Sequence, residues 1–548
     1  MDQGVADSVC ERVNVSRFLD SKAASQPNVS ALLVPRGRTV EGKIDYMRLS
    51  FKELAEEQDA WAAKLKQKGI TQGSRVLLMV KPGLPLIAIC FALFKLGAVP
   101  VVIDPGMGLK SFLSCVRRSK PEHLVGIGLA IWVSRIFIRS FRGLKSRVKV
   151  GGPLECIRNT NADRVDVEAA ATQSEDLAAI LFTSGSTGAP KGVLYEHGMF
   201  EAQVRTIQST FDIQPGEVDL PMLPIFALFN PALGMTTVVP EMNPSKPATV
   251  DPKNIVDAIQ QCGVSNSFGS PVLWEKIGKY CERNKIKLPT MKRILMAGAP
   301  VPPSLMKRFR EILEDGTVYS PYGATEVLPV SAISDMEVLQ IAKSDEFLGK
   351  GTCVGFPLPG VEVRILGVDD GVLGESALSR PLPSGVIGEI VVTGPSVTKG
   401  YDKLPEATDA AKIVTKSRVW HRMGDLGYLD RKGRLWFCGR KVERVIALGE
   451  TFYTDCCESV FNRHEKVFRT ALIKCQNAPA IVVEPIAGAY PKSPEEDAFI
   501  EELKELGQQN SSTKKIERFF FHRSFPVDVR HNAKIHRLTL AKEFSGDS

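Results

Sequence analysis

The chain has no cysteine pair with the spacing of a metal site or a redox motif. Its eleven cysteines include no CxxC arrangement and no histidine nearby at metal-type spacing. Cys456 and Cys457 are adjacent, and adjacent cysteines rarely form a disulfide with each other. We therefore expect reduced thiols, as in cytoplasmic proteins, where disulfides are rare.

The sequence also lacks an apolar run long enough to cross a bilayer. The stretches 84–94 and 124–134 each contain 11 residues, whereas a spanning helix needs about 20. The first 30 residues carry acidic side chains from Asp2 to Asp20 and lack the basic start and apolar stretch of a signal peptide. These absences predict a cytoplasmic protein.

Internal repeats and low-complexity segments are absent as well. The 548 residues, 44% hydrophobic and 24% charged, have the composition of an ordinary globular protein, and their number predicts two or more domains. The formal net charge is +8, but lysine and arginine are scattered except in segment 117–149. Because no nucleic-acid-binding module is evident, we expect no nucleic-acid partner.

Segment 124–149 combines cations with apolar residues. Arg135, Arg139, Arg142 and Lys145 recur every three or four residues between aliphatic and aromatic side chains. This basic amphipathic pattern suits peripheral contact with an anionic membrane or reception of a greasy substrate. It suits equally a helix that packs its apolar face on the domain, so both interpretations stay open.

Apolar strands alternate with helical periodicity along the chain, which predicts an α/β fold. We expect strands over 75–80 and 98–103 on either side of a helix near 86–96. The pattern repeats at 264–268 and 293–296.

Composition changes towards the C-terminus. After Asp370, glycine- and proline-rich turns separate short strands such as 388–393, which indicates a β-rich subdomain at about 355–438. The remaining residues have the length of one small domain. We therefore predict an N-terminal domain over 1–438 and a small C-terminal domain over 439–548.

A hydroxyl- and glycine-rich loop follows the apolar run 177–182. It reads Thr183-Ser184-Gly185-Ser186-Thr187-Gly188-Ala189-Pro190-Lys191. Gly185 and Gly188 allow the backbone to approach an anion closely, while the hydroxyls and Lys191 supply donors and charge to a polyphosphate. The lysine lacks the Gly before it and the Ser or Thr after it that a Walker A loop requires. A flexible linker is the alternative, and the apolar strand in front disfavours it.

Two further sets of residues suit a nucleotide. The first set consists of two runs, Met296-Ala297-Gly298-Ala299-Pro300 and Tyr322-Gly323-Ala324-Thr325-Glu326. Tyr322 offers a flat face to a nucleobase, and Glu326 can hold Mg²⁺ on phosphates; an ordinary turn is the alternative. In the second, Asp425 lies between glycines and can accept bonds from a ribose diol, with the Arg440 guanidinium nearby. Taken singly, Asp425 suits a turn and Arg440 a solvated surface.

The order of these motifs, from Lys95-Leu-Gly-Ala98 to Arg440, resembles that of the acyl-adenylate-forming, or AMP-binding, enzyme superfamily. This superfamily includes acyl-CoA synthetases, adenylation domains and luciferases, and the resemblance covers essentially the whole chain. It implies a large N-terminal adenylation domain with αβαβα sheets and a β-rich subdomain. A small, mobile α+β C-terminal lid domain would follow.

The resemblance implies that ATP and Mg²⁺ are used. The nucleotide-binding positions that it implies are Thr183, Ser184, Gly185, Ser186, Thr187, Gly188, Lys191, Gly298, Ala299, Pro300, Ser320, Tyr322, Gly323, Thr325, Asp425 and Arg440. The loop would wrap the β- and γ-phosphates, with Thr187 and Glu326 near Mg²⁺. Gly298, Ala299 and Tyr322 would form the adenine slot, with Ser320 at its edge, and Asp425 and Arg440 would bind the ribose.

Lys534 lies where the superfamily places its catalytic lysine, which makes Lys534, Glu326 and Thr187 the implied catalytic residues. An ammonium group stabilises the charge that develops as a carboxylate attacks the α-phosphate, and domain closure would bring Lys534 to the cleft. A basic surface tail is the alternative. Ala533 replaces the Gly that often precedes this lysine. Val442, with Glu443 behind it, replaces the usual hinge residue, which makes a large domain rotation less assured.

One branch of the superfamily shares these departures. Ala227 stands where many relatives carry His or another large residue, and the chain is most similar to bacterial olefin-biosynthesis β-lactone synthetases. This resemblance implies that a long-chain 2-alkyl-3-hydroxy fatty acid is adenylated and that its own hydroxyl then displaces AMP. CoA is then not required, and members of the branch work in multi-enzyme assemblies. The residues expected to flank the acyl tunnel are Ala227, Phe229, Phe268, Gly269 and Val327, each of which also suits an ordinary core.

Two other functions stay open at this stage. A long-chain fatty acyl-CoA synthetase or fatty acyl-AMP ligase would pass the adenylate to an external thiol, and Gly449-Glu450 lies where CoA ligases leave a pantetheine passage. A nucleotide-binding scaffold without chemistry is the second alternative. The presence of Lys191, Glu326 and Lys534 disfavours it.

Overall fold

A computed structural model describes residues 13–158, 166–183, 190–243, 246–344, 347–492, 494–527 and 535–544. The helices are α1 (Arg17–Ser25), α2 (Phe51–Gln67), α3 (Leu84–Lys95), α4 (Leu109–Ser119), α5 (Gly128–Ile136), α6 (His197–Thr210), α7 (Asn230–Leu233), α8 (Pro252–Cys262), α9 (Pro271–Asn284), α10 (Pro303–Ile312), α11 (Asp335–Ala342), α12 (Pro405–Ala411), α13 (Thr454–Phe461), α14 (Glu495–Gln508) and α15 (Arg537–Phe544). The strands are β1 (Ser30–Arg38), β2 (Ile44–Ser50), β3 (Arg75–Met79), β4 (Val99–Val102), β5 (His123–Ile127), β6 (Ser146–Val150), β7 (Leu177–Thr183), β8 (Lys191–Glu196), β9 (Val218–Asp219), β10 (Thr236–Val238), β11 (Asn266–Gly269), β12 (Arg293–Met296), β13 (Thr317–Ala324), β14 (Val327–Ser334), β15 (Thr352–Pro357), β16 (Glu362–Leu366), β17 (Gly388–Thr393), β18 (Lys412–Val414), β19 (Val419–Leu429), β20 (Leu435–Arg440), β21 (Val445–Ala447), β22 (Glu450–Phe452), β23 (Val467–Cys475), β24 (Ala478–Pro485) and β25 (Arg518–Phe521).

The first sheet has the order β6-β5-β3-β4-β7-β8. Its strands are parallel except for the β7–β8 hairpin. Parallel strands covered by helices on both faces read as near-continuous apolar runs, which is the pattern of β3, Arg-Val-Leu-Leu-Met.

The second sheet has the order β16-β17-β19-β20-β15-β14-β13-β12-β11-β9-β10-β1-β2, with β18 paired to β19. Strands β9 to β13 and β1 pair in parallel where they neighbour each other, while β14 to β20 pair antiparallel. The sheet therefore passes from a helix-covered α/β half into a β-rich half.

Helix α3 lies in the main core between the two sheets. Its residues from Leu84 to Lys95 are buried except Leu86, and Phe91 and Phe94 share one apolar cluster with Leu78 of β3 and Leu32 of β1. A helix that is apolar all round belongs in an interior. Separate clusters lie outside each sheet, under α8 to α10 and under α4 and α5, so the expected αβαβα layering is confirmed.

Local sequence signals set several helix ends. The Ser50 hydroxyl accepts a bond from the Glu53 amide and the Glu53 carboxylate accepts one from the Ser50 amide, a capping box that starts α2. Helix α8 starts after Asp251, with proline in its first turn, and ends at Gly263, whose φ is 62°.

The C-terminal part forms its own small sheet, β23-β24-β25. Helices α13 and α14 pack on one face and α15 on the other, each with a separate apolar cluster. Within the described part of the chain, every helix is too short or too polar to cross a membrane.

Candidate active site

Three neighbouring parallel strands end beside the predicted nucleotide-binding segments. Strand β12 pairs with β11 and β13, so their carboxyl ends meet at one sheet edge, where α/β proteins bind ligands. Phe268 lies near the end of β11, Gly298 follows β12, and Tyr322 lies near the end of β13. These residues, with Ala299, Pro300, Ser320, Gly323, Thr325 and Glu326, line one cavity of about 1670 Å³.

Two glycines allow the backbone to line this cavity closely. Gly298 has a φ of 96°, which disfavours any side chain. At Gly323, a Cβ atom would lie 2.8 Å from the Val327 carbonyl oxygen. Both positions therefore require glycine, as an adenine slot built from backbone would.

The β7–β8 hairpin carries the predicted phosphate loop. Thr183 pairs with Lys191 across its base. The residues predicted between them, Ser184, Gly185, Ser186, Thr187 and Gly188, lie outside the described part. Lys191 lines the cavity, and its Nζ lies 4.8 Å from the ring centroid of Tyr401.

Contacts with the β-rich half fix this hairpin in place. The Asp402 amide donates to the Gly192 carbonyl at 2.7 Å, and the Leu194 amide donates to the Gly400 carbonyl at 3.2 Å. The Tyr195 hydroxyl donates to the Thr325 carbonyl, next to Glu326. The described part of the hairpin and Glu326 are therefore held in one framework.

Glu326 is held by groups that belong to none of the sequence motifs. The Tyr401 hydroxyl donates to Glu326 Oε1 at 2.7 Å. Burial and the glutamate charge both raise the pKa of Tyr401, so its hydroxyl keeps the proton that it donates. The Thr398 amide donates to the Glu326 carbonyl at 2.9 Å.

Lys412 is a buried cation beside this glutamate. Its Nζ donates to the Thr398 hydroxyl at 3.3 Å. Burial lowers the pKa of Lys412 to about 7, against the opposing effect of the Glu326 charge. His421, its cross-strand neighbour, is also buried, and burial followed by the Lys412 charge lowers the pKa of this imidazole well below its usual value. Positive charge near Glu326 therefore comes at a large desolvation cost.

Asp425, Tyr322 and Arg440 form a polar group at the other side of the cavity. Asp425 on β19 faces Arg440 on β20, and the Arg440 guanidinium lies 3.1 Å from Asp425 Oδ1. The Tyr322 hydroxyl donates to Asp425 Oδ2 at 2.6 Å. The Asp425 charge is the main reason that the pKa of Arg440 is raised, while burial is the main reason for Tyr322. All three residues line the cavity, as a ribose site requires.

Aromatic rings form another part of the lining of the same cavity. Phe200 and Phe229 stack with centroids 4.9 Å apart, and Phe226 and Phe268 stack at 3.8 Å. Phe94 completes this wall. Of the five predicted tunnel residues, Phe229 and Phe268 therefore lie in the wall.

The other three lie elsewhere. Ala227 is buried at the edge of a neighbouring apolar cavity of about 30 Å³. Gly269 lies where a Cβ atom would meet Met222 and Trp274, and Val327 is fully buried in the core of the β-rich half. Contact between any of these residues and an acyl chain stays a prediction.

The C-terminal part closes one side of the cavity. The predicted catalytic lysine, Lys534, lies outside the described residues, whereas the next residue, Ile535, lines the cavity. Arg537 lines it too and forms ion pairs with Glu443 at 2.9 Å and Glu458 at 2.6 Å. The predicted hinge residue, Val442, is exposed, and its neighbour Glu443 is thus tied to the last helix.

The comparisons with known proteins agree with this geometry. The chain is 41% identical to the olefin beta-lactone synthetase of Xanthomonas campestris pv. campestris, over 98% of both chains. It is also 41% identical to that of Stenotrophomonas maltophilia, over 96% of this chain and 97% of the relative. The expected resemblances to the AMP-binding enzyme superfamily and to its olefin-biosynthesis β-lactone synthetase branch are confirmed.

Solved structures share the fold. ATP-bound MatB of Rhodopseudomonas palustris superposes with a TM-score of 0.79 at 20% identity, covering 98% of this chain and 99% of that one. The o-succinylbenzoate CoA synthetase of Bacillus subtilis, in complex with its acyl-adenylate, gives 0.73 at 21% identity, covering 95% and 97%. Residues 19–402 match the AMP-binding enzyme family. The chain belongs to this family of AMP-binding enzymes.

Proposed function

We propose that the protein adenylates a long-chain 2-alkyl-3-hydroxy fatty acid and closes the product to a β-lactone, with release of AMP and pyrophosphate. One observation carries the proposal: a single cavity of about 1670 Å³ runs from Lys191, Glu326 and Asp425 to a wall of phenylalanine rings. Sites for drug-sized ligands have about 300–1,000 Å³. The larger volume here suits a nucleotide and a hydrocarbon chain together.

The polar end fits ATP with Mg²⁺, which enzymes of this family typically use. Among the described residues, no group of three or more His, Cys, Asp or Glu side chains is placed to hold a metal. Mg²⁺ commonly relies on one or two carboxylates together with substrate phosphates, so the single Glu326, fixed by Tyr401, fits this ion. Bound there, Mg²⁺ would neutralise phosphate charge.

Side chains of the protein would then promote the first step, which is adenylation of the acid. Asp425 and Arg440 hold the ribose, and Lys191 contacts the terminal phosphates. The substrate carboxylate attacks the α-phosphorus, and the bond to pyrophosphate breaks. Lys534, carried into the cavity by a C-terminal lid over 439–548 that closes on an adenylation domain over 1–438, stabilises the charge that develops.

The second step needs no external acceptor. The 3-hydroxyl oxygen attacks the acyl carbon, the hydroxyl proton is released, and the bond between the acyl carbon and AMP breaks. A hydroxyl held beside the acyl phosphate has a high effective concentration. CoA is therefore not required. The names of the two 41%-identical relatives support this step, and we propose that the protein acts in cytoplasmic olefin synthesis, next to enzymes that supply the acid and consume the lactone.

Three incubations with ATP and Mg²⁺ test the proposal. The substrates are a long-chain 2-alkyl-3-hydroxy acid alone, the same acid with CoA, and an unsubstituted fatty acid with CoA. Lactone formed at equal rates with and without CoA supports the proposal. A thioester formed only with CoA would identify an acyl-CoA ligase, and an absence of AMP in all three would identify a scaffold without chemistry.

A further inference from the structure

Helix α5 turns its larger apolar side chains outward. Ala130 and Ser134 are buried against the domain, while Leu129 is 64%, Trp132 60% and Ile136 49% exposed. The exposed positions are spaced i, i+3 and i+7, so they share one face of the helix. Ile138, in the turn that follows, is 66% exposed and extends this apolar surface.

Cations surround the apolar surface. Arg135, Arg139 and Arg142 are exposed next to it, and no Asp or Glu occurs between Glu122 and Glu155. Lys145 is also exposed but forms an ion pair with Glu122. We call the set of Leu129, Trp132, Arg135, Ile136, Ile138, Arg139 and Arg142 the α5 patch. It combines an apolar centre with a net positive rim.

We propose that the α5 patch docks on the surface of an anionic lipid bilayer. Apolar and aromatic side chains of an interfacial helix enter the boundary between headgroups and acyl chains, and arginines pair with anionic headgroups. A stable protein–protein interface takes about 20–30 residues from each partner, whereas this patch has seven. Charge complementarity and small size therefore favour a membrane over a protein partner.

The α5 patch begins close to the large cavity. Helix α5 starts directly after Ile127, the last residue of β5, and Ile127 lines the cavity together with Met79, the last residue of neighbouring β3, and Val80, which follows it. Docking would therefore bring a fatty acid dissolved in the membrane near the start of α5, next to the cavity-lining end of β5. The docking itself does not depend on which acid is adenylated.

Sedimentation of the full chain with vesicles tests the proposal. We expect binding to vesicles of phosphatidylcholine with about one-third phosphatidylglycerol, weakening as salt increases, and little binding to phosphatidylcholine alone. Each arginine near an anionic surface contributes about a fivefold factor in binding, so the double variant Arg139→Glu/Arg142→Glu should bind at least about thirtyfold more weakly. The variant Leu129→Ser/Trp132→Ser should lose at least about tenfold, because it removes inserted apolar area.

Matched controls change similar residues elsewhere. Met336→Ser replaces an equally exposed apolar side chain on α11, and Arg431→Glu/Lys432→Glu reverses two exposed charges in a turn; both should bind like wild type. ATP-dependent pyrophosphate exchange with a short soluble acid reports whether each variant is folded. The proposal is overturned if wild type does not bind, if patch and control variants weaken binding equally, or if the patch variants abolish self-association and leave vesicle binding unchanged.

Discussion

Replacing Asp425 with alanine should weaken ATP binding. The loss of affinity should be larger than a general loss of stability produces. Asp425 is 4% exposed; its carboxylate accepts a hydrogen bond from the Tyr322 hydroxyl at 2.6 Å and lies 3.1 Å from the Arg440 guanidinium as an ion pair. In the nucleotide complex it would also accept bonds from the two ribose hydroxyls. A hydrogen bond to a charged group contributes about 1.5–3 kcal/mol. Loss of two such bonds should raise the Kd of ATP at least about a hundredfold.

The same substitution also removes the ion-pair partner of Arg440, whose side chain is 33% exposed, so the loss of stability should be smaller than the loss of about 3–5 kcal/mol expected for a fully buried pair. Glu217→Ala is a stringent control, because Glu217 forms a more deeply buried ion pair with Arg293, through both terminal guanidinium nitrogens, at the opposite end of β12 from Gly298. Both variants should lose stability in denaturant titrations. Only Asp425→Ala should lose ATP affinity in calorimetry.

Two results would refute this reasoning about the ribose site. One is a folded Asp425→Ala protein that binds ATP within about threefold of wild type, well under the loss expected from two charged hydrogen bonds. The other is an equal loss of ATP affinity in Glu217→Ala, since that effect would then come from general destabilisation.

Three further predictions concern the reacting end of the cavity. Lys534→Ala should keep the ATP affinity of wild type but slow pyrophosphate release by about 10²-fold or more, because its charge acts in the transition state; unchanged release would contradict its catalytic role. Tyr401→Phe should raise the Mg²⁺ concentration needed for half-maximal exchange, because Glu326 loses the hydroxyl that fixes it; an unchanged Mg²⁺ titration would count against this. Burial lowers the pKa of Lys412 from 10.5 to about 7, so between these values the unfolded chain binds a proton that the folded chain does not, and stability rises with pH. Lys412→Met should remove this rise, up to about 1.4 kcal/mol per pH unit, in denaturant titrations, and equal slopes for both proteins would show that it does not come from Lys412.

Local sequence patterns predicted much of the fold. The strands expected at 293–296 and 388–393 have those bounds in the structure, since each is a short buried run between turn residues. The strand expected from Val264 instead begins at Asn266. The Val264 amide bonds to the Ile259 carbonyl and closes the preceding helix, so this valine is apolar because it lies under a helix end. Apolar runs do not separate these two roles.

The motifs predicted polar residues that line the cavity but not the residues that hold them. Tyr401 and Lys412 follow Glu326 by 75 and 86 residues, and neither belongs to a recognisable pattern. They reach Glu326 because Tyr401 bridges to Val193 of the hairpin and Lys412 pairs with His421. Such pairings depend on strand register across the sheet, which single-sequence periodicity does not encode.

In segment 124–149, the sequence pattern did not show which face of the helix is buried. Its periodicity indicated a helix or a membrane contact, and the structure contains a helix that packs through Ala130 and Ser134. The larger apolar residues point outward. A periodic pattern identifies a face of a helix, but the shape of the domain beneath decides which face is buried.

Attack on the α-phosphorus by the substrate carboxylate is the central claim, and an isotope transfer tests it most directly. A long-chain 2-alkyl-3-hydroxy acid labelled with ¹⁸O in its carboxylate would be converted with ATP and Mg²⁺ in the absence of CoA. The account predicts a β-lactone together with AMP that carries one ¹⁸O atom and pyrophosphate that carries none. Unlabelled AMP, or label in pyrophosphate, would contradict it.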